Sequence, residues 1–123
     1  MSVFVLDYDH NAPDVEHLRK THAPFYQAVR DANPTLPIIM MSRPDFDKFR
    51  ADSEARRAVV KKTYDDAVAA GDKNVYYIDG QTLFMDDDRD ACTIEGCHPT
   101  DLGFYRMALT VAPLLEKLLK DTL

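Results

Sequence analysis

The chain has 123 residues, of which 46% are hydrophobic and 29% are charged, and its formal net charge is -6. This length and mixture predict a single globular domain over residues 1–123, with a core of ordinary size. The negative charge argues against nucleic acid or an anionic membrane surface as a partner. No run of about 18 apolar residues occurs, so no membrane-spanning segment is predicted.

The first part of the chain predicts two buried strands with a helix between them. Residues 3–8 read Val-Phe-Val-Leu-Asp-Tyr and place apolar side chains on both faces, as in a parallel sheet. Residues 14–32 predict a helix, in which Pro24 should introduce a kink. Its apolar face combines Val15, Leu18, His22, Phe25 and Val29. Residues 38–41, Ile-Ile-Met-Met, predict the second strand.

The second part predicts a helix, a strand, a loop and a long final helix. Residues 52–70 have helical composition, and Gly71 suits a C-cap. Residues 75–78, Val-Tyr-Tyr-Ile, predict a third strand, and the acidic loop that follows is expected to be solvated. Thr100 is the expected N-cap of the last helix, which Pro113 should bend.

The order β-α-β-α-β-α predicts an α/β domain with a parallel sheet covered on both faces, a three-layer α/β/α architecture. In such sheets ligands collect at the carboxyl ends of the strands. Asn11 follows the first strand, Ser42 the second, and His98 lies in the loop beyond the third. We therefore expect all three residues on one rim of the sheet.

His98 lies in the segment with the clearest chemical pattern. Glu95 precedes it by three residues, Gly96 lies between them, and a helix start follows. A histidine held in a loop with a carboxylate on one ring nitrogen can act as a general base. The alternative is a histidine that only caps the helix or makes structural hydrogen bonds.

Asn11 is the second candidate. An asparagine amide at the carboxyl end of a buried strand can donate to the oxyanion that develops during acyl transfer. The sequence Asn-Ala-Pro-Asp also suits an Asx-turn ahead of the first helix, and from these residues alone the turn is favoured.

These segments resemble the SGNH (GDSL-type) hydrolase family, whose final block in bacterial esterases reads Asp-Gly-x-His-Pro-Thr-Asp-Leu-Gly-Phe. Residues 95–104 read Glu-Gly-Cys-His-Pro-Thr-Asp-Leu-Gly-Phe, and residues 3–13 resemble the strand and asparagine of the third block. The resemblance covers nearly the whole chain. It implies the C-terminal part of a flavodoxin-like SGNH fold, truncated to about three strands.

The resemblance also implies roles for individual residues. His98 would be the general base, Glu95 would replace the usual aspartate, and Asn11 would be an oxyanion-hole donor. The implied reaction is hydrolysis of a small-molecule or carbohydrate ester without a cofactor. The family's Gly-Asp-Ser nucleophile block is absent from this sequence, so we expect the chain to be inactive alone. The alternative is a non-catalytic α/β domain that serves assembly or binding.

No residue of this chain is a convincing replacement for that nucleophile. Ser2 is terminal, and Ser53 is expected to cap a helix. Ser42 belongs to the rim but lacks a strand-to-helix elbow, and Arg43-Pro44 follows it. Cys97 directly precedes His98, and neighbouring side chains in extended backbone point in opposite directions.

Cys92 and Cys97 have four residues between them, without the CxxC spacing and further ligands of a zinc site, so no metal is expected. A disulfide and two free thiols both fit this spacing, and free thiols are favoured. The N-terminus lacks the features of a signal peptide. A cytoplasmic chain is therefore the expectation, although the compartment is not determined.

The resemblance finally predicts self-association. In the family fold, the strand that begins at Val3 and ends at Tyr8 would lie inside a five-stranded sheet whose first two strands are missing here. An unpaired strand edge is a site for pairing with another chain. We therefore expect a homo-oligomer that is joined through residues 3–8.

Overall fold

The computed structural model describes residues 1–44 and 47–122. Its strands are β1 (Phe4–Leu6), β2 (Ile38–Met41) and β3 (Val75–Ile78), and its α-helices are α1 (Val15–Ala32), α2 (Arg50–Ala69) and α3 (Asp101–Thr122). The strands form one parallel sheet in the order β1-β2-β3. The predicted α/β class is confirmed.

The central strand β2 explains the layering of the domain, because all four of its residues are buried. Ile38 and Met40 pack with α1 and α2 on one face of the sheet. Ile39 and Met41 pack with α3 on the other face. Full burial of such a side chain contributes about 1.5–3 kcal/mol. The unbroken apolar run in the sequence is therefore what a strand with helices on both faces requires.

Helix α1 follows its predicted range, and its N-cap is Asp14, whose carboxylate accepts the His17 N–H at 2.7 Å. Both α1 and α3 continue as single helices through their prolines, Pro24 and Pro113. The buried face of α1 differs from the predicted one. Tyr26 is buried, whereas Phe25 is 41% exposed and lies against β1.

Helix α2 begins two residues earlier than predicted, with Phe49 at its N-cap. Ser53 therefore lies inside the helix, where it is fully buried, and the prediction that it caps α2 is wrong. Gly71 follows the end of α2 with φ of +93°, the left-handed conformation that suits a helix terminus. None of the helices among the described residues has the length and apolar character needed to cross a membrane.

Strand β1 forms one edge of the sheet within the described residues. The Phe4 N–H donates to the Pro37 carbonyl at 2.9 Å on the β2 side. Because successive peptide groups of a strand point to opposite sides, the Val5 N–H points to the open side. Phe25 packs edge-on against both Phe4 and Tyr8, with ring centroids 6.1 and 5.7 Å apart. The open edge thus lies beside an aromatic cluster.

We expect this edge to pair with a second copy of the chain. Val5→Pro removes the outward N–H while leaving the hydrogen bonds to β2 in place, so it should convert the oligomer to a monomer. Val5→Thr keeps the N–H and is the matched control. Light scattering coupled to size-exclusion chromatography measures the mass of each. A wild-type monomer, or an oligomer that survives Val5→Pro, would contradict strand pairing.

His22 is a fully buried titratable side chain on α1. The Thr63 hydroxyl donates to the Val59 carbonyl at 3.2 Å, so its oxygen accepts from His22 Nδ1 at 2.9 Å. The other ring nitrogen, Nε2, has no hydrogen-bond partner within the described segments. Burial lowers the pKa of His22 from 6.5 to about 4, because a charged ring would have no solvent around it.

This histidine predicts a pH dependence of stability. His22 becomes protonated in the unfolded chain as the pH falls below 6.5, whereas in the folded chain its pKa of about 4 keeps the ring neutral over most of this range. The free energy of unfolding should therefore fall as the pH is lowered through this window, by up to about 3 kcal/mol. His22→Gln should flatten the dependence, and His17→Gln, at an exposed position of α1, should not. Urea unfolding across the window checks both variants.

Candidate active site

The carboxyl ends of the three strands form the rim on which the candidate residues lie. A 3-10 turn, Asp9–Asn11, follows β1, and Ser42 and Arg43 follow β2. The loop after β3 leads to a segment whose ends meet in a bridge between Thr93 and Pro99. Asn11, Ser42 and the His98 segment thus follow the strands at the same end of the sheet.

A buried ionic network holds the first of these turns. The Asp9 carboxylate has no solvent exposure and accepts the Arg43 N–H at 2.8 Å. Arg56 donates to the carbonyls of Asp9 and Ala12 at 2.8 and 3.0 Å, and its guanidinium lies 3.7 Å from the Asp9 carboxylate. Asp52 accepts from Arg56 at 2.7 Å and from Arg43 at 3.1 Å. Burial nevertheless raises the pKa of the Asp9 carboxyl.

Glu95 and His98 form the dyad that the sequence predicts. Glu95 Oε1 lies 2.9 Å from His98 Nδ1 and also accepts the His98 backbone N–H at 2.6 Å. That backbone N–H lowers the pKa of the Glu95 carboxyl. The His98 side chain is 77% exposed. Because Nδ1 contacts Glu95, Nε2 is the ring nitrogen that can exchange a proton with a bound molecule.

The loop that carries the dyad has two glycines with defined roles. Gly96 adopts φ of +85°, and its N–H donates to Thr93 Oγ1 at 3.1 Å, which turns the chain so that Glu95 reaches His98. Gly103 packs against the Cys92 carbonyl, where a Cβ atom would clash. Thr100 Oγ1 accepts the Gly103 N–H at 3.3 Å, as expected of an N-cap.

Asn11 lies at the end of the first 3-10 turn with its side chain exposed. Its backbone N–H donates to the Tyr8 carbonyl at 2.9 Å, and its carboxamide makes no hydrogen bond within residues 1–44 and 47–122. Asp14, rather than Asn11, caps α1. The carboxamide is therefore available to a bound molecule.

A contact between two loops joins the Asn11 turn to the His98 segment. His10 Nε2 lies 3.0 Å from Cys97 Sγ, and these residues directly precede Asn11 and His98. Cys97 is half-buried and Cys92 is fully buried, and both are free thiols, as favoured from the sequence. The His10–Cys97 contact brings the candidate base and the candidate oxyanion donor to the same part of the rim.

The sequence reasoning missed His10 and Asp9 as parts of this rim. The sequence predicts a strand that continues through Tyr8. The strand ends at Leu6, however, and the 3-10 turn directs Asp9 inward and His10 toward Cys97. The partners of both residues, Arg43 and Cys97, lie far away in sequence, so no local signal indicates these contacts.

Ser42 is buried and makes structural contacts. Its Oγ accepts the Gly80 N–H at 2.8 Å and lies 3.4 Å from the Tyr77 hydroxyl. The hydroxyl therefore connects β2 to the segment after β3. Only 1% of the residue is exposed.

The profile of the GDSL-like lipase/acylhydrolase family matches residues 1–116. The chain belongs to this family. Membership supports an acylhydrolase kind of function. No curated protein matches the chain.

Two solved structures of greater length share the fold. A GDSL-like lipase from Bacteroides ovatus has a TM-score of 0.80 and 26% identity, over 97% of this chain and 36% of that chain. A salicylyl-acyltransferase from a tetracycline biosynthetic pathway has a TM-score of 0.71 and 21% identity, over 95% of this chain and 38% of that chain. The family member described here thus spans little more than a third of either structure.

The contacts of Ser42 predict a loss of stability on Ser42→Ala. The variant leaves the buried Gly80 N–H without its acceptor, which should lower the free energy of unfolding by about 1–3 kcal/mol. Ser2→Ala, at an exposed terminal position, should change nothing. Denaturant unfolding measures both variants. A stability equal to wild type for Ser42→Ala would contradict the structural role of this hydroxyl.

Proposed function

We propose that this chain provides the acid–base part of a serine acylhydrolase that cleaves carboxylic esters. His98 is the general base, Glu95 orients it, and Asn11 donates to the oxyanion. The observation that carries the proposal is the 2.9 Å contact between His98 Nδ1 and Glu95 Oε1, on the rim that also presents the Asn11 carboxamide. The serine nucleophile comes from sequence outside these 123 residues.

The proposed reaction proceeds in two halves, and in each half His98 Nε2 accepts one proton and then returns it. In the first half, Nε2 takes the serine proton as the serine oxygen attacks the ester carbonyl, and then returns it to the departing alcohol. In the second half, Nε2 takes a proton from water, and the hydroxide displaces the serine oxygen, which is protonated in turn. The carboxamide of Asn11 donates to the carbonyl oxygen each time negative charge develops there.

Glu95 fits the role usually filled by a shorter carboxylate. By accepting from Nδ1 it selects the tautomer in which Nε2 lacks a proton, and it stabilises the imidazolium that forms after proton transfer. Its second hydrogen bond, from the His98 backbone, fixes the carboxylate relative to the ring. The additional methylene of glutamate is accommodated by the turn at Gly96.

The proposed substrates are esters of small molecules, including acyl groups on carbohydrates. A second function, as a non-catalytic assembly module, is favoured by one observation. The open edge of β1 lies beside a groove of about 240 Å³ whose lining includes Val5, Phe25 and Asn11. In that case the chain would bind partners through β1, and loss of the dyad would have no functional effect.

The proposed function predicts that the 123-residue chain alone gives no appreciable turnover of p-nitrophenyl acetate. The reading frame upstream of Met1 should encode a Gly-Asp-Ser segment roughly 60 to 100 residues earlier, a distance set by two βα units. A polypeptide that contains both parts should hydrolyse the ester. In that polypeptide His98→Ala should reduce kcat by about 10²- to 10⁴-fold, because the proton acceptor is lost.

The matched control is His17→Ala, which removes an exposed histidine of α1 and should retain full turnover. Hydrolysis by the isolated chain that persists in His98→Ala would contradict the proposed base. Inactivity of the longer polypeptide on a panel of esters would favour the assembly module instead.

A further inference from the structure

We propose that His10, Glu95, Cys97 and His98 form a binding site for a thiophilic divalent transition metal, of which Zn²⁺ is the representative. Ligand atoms of Glu95, Cys97 and His98 all lie within 4.8 Å of one another. The fourth residue comes from the other loop, since His10 Nε2 lies 3.0 Å from Cys97 Sγ. The proposed site thus combines one thiol, two imidazoles and one carboxylate.

The ligand atoms of Glu95, Cys97 and His98 are close to the spacing of three zinc ligands, and His10 Nε2 lies beside one of them, Cys97 Sγ. Bonds of about 2.0–2.3 Å at tetrahedral angles separate ligand atoms by roughly 3.3–3.8 Å. Ligand atoms of these residues that lie as far as 4.8 Å apart must approach by about 1 Å, whereas Glu95 Oε1 and His98 Nδ1, now 2.9 Å apart, must separate slightly. Glu95 and His98 are exposed, so side-chain rotations can achieve this without disturbing the core.

The donor atoms decide which metal fits. A thiolate and two imidazoles favour zinc and neighbouring transition metals, whereas Mg²⁺ and Ca²⁺ prefer oxygen ligands. The site has no local sequence pattern. Three donors come from residues 95–98, and the fourth, His10, is 87 positions away from Cys97. The prediction that Cys92 and Cys97 form no zinc site rested on their spacing in sequence.

Metal binding at this site would compete with protons and with the role proposed for His98. A bound ion needs Cys97 as thiolate and both histidines neutral, so affinity should rise with pH. An ion on the His98 ring also removes that residue from proton transfer. The site would thus act as a metal-controlled block of the acid–base dyad, although binding itself does not depend on the proposed catalytic function.

Cobalt binding to the tag-free, reduced 123-residue chain tests the proposal, because a Co²⁺–thiolate bond produces a charge-transfer absorption. Titration of the wild-type chain should show this band and saturate at one equivalent. Cys97→Ser should abolish the band, and Cys92→Ser, which changes the buried thiol, should retain it. His10→Gln should weaken binding by at least the roughly 10- to 100-fold that loss of an outer-shell partner costs.

A second measurement uses the unaltered protein. Stoichiometric Zn²⁺ should slow alkylation of Cys97 by iodoacetamide at least about tenfold, as followed by mass spectrometry. Absence of the cobalt band, its persistence in Cys97→Ser, or alkylation of Cys97 that zinc does not slow would overturn the site. Unchanged affinity in His10→Gln would overturn the four-ligand arrangement. All of these readouts are made without ester, so their failure is separate from failure of the proposed hydrolysis.

Discussion

The geometry of the rim depends on the fully buried carboxylate of Asp9. Placing an ionised group in the protein interior costs several kcal/mol unless partners surround it. Arg56 and the Arg43 backbone provide those partners, and they belong to α2 and to the segment after β2. The same contacts therefore join three parts of the chain. These contacts hold the turn that carries Asn11.

The dyad depends on a different and more local support. Glu95 and His98 meet because the segment between Thr93 and Pro99 closes on itself and because Gly96 adopts a left-handed conformation. A residue outside this loop also contacts it, since the Lys48 side chain donates to the Glu95 carbonyl. The contacts that orient His98 thus come largely from its own loop, whereas residues of α2 and of the segment after β2 hold the turn that carries Asn11.

Much of the fold could be predicted from the sequence because its strongest signals are simple. An unbroken apolar run specifies the fully buried strand β2, whereas β1 leaves Val5 36% exposed. Thr100 and Gly71 lie at helix ends as their chemistry predicts. The dyad could also be predicted, because both partners lie in one short segment. Ser53 and Phe25 show the limits of such prediction. Because α2 begins earlier than predicted, Ser53 is buried inside the helix and does not cap it. Because the buried face of α1 differs from the predicted one, Phe25 is exposed. The partners of Asp9 and His10 are distant in sequence, so no local pattern reports them.

The contact between His10 and Cys97 joins residues 87 positions apart. Closing so long a loop costs chain entropy, which sheet pairing reduces by bringing the two segments closer, so we expect this contact to form after the β1–β2–β3 pairing. We likewise expect the two loops to separate before the core opens, so that the residues proposed for function could lose their arrangement while the sheet stays folded.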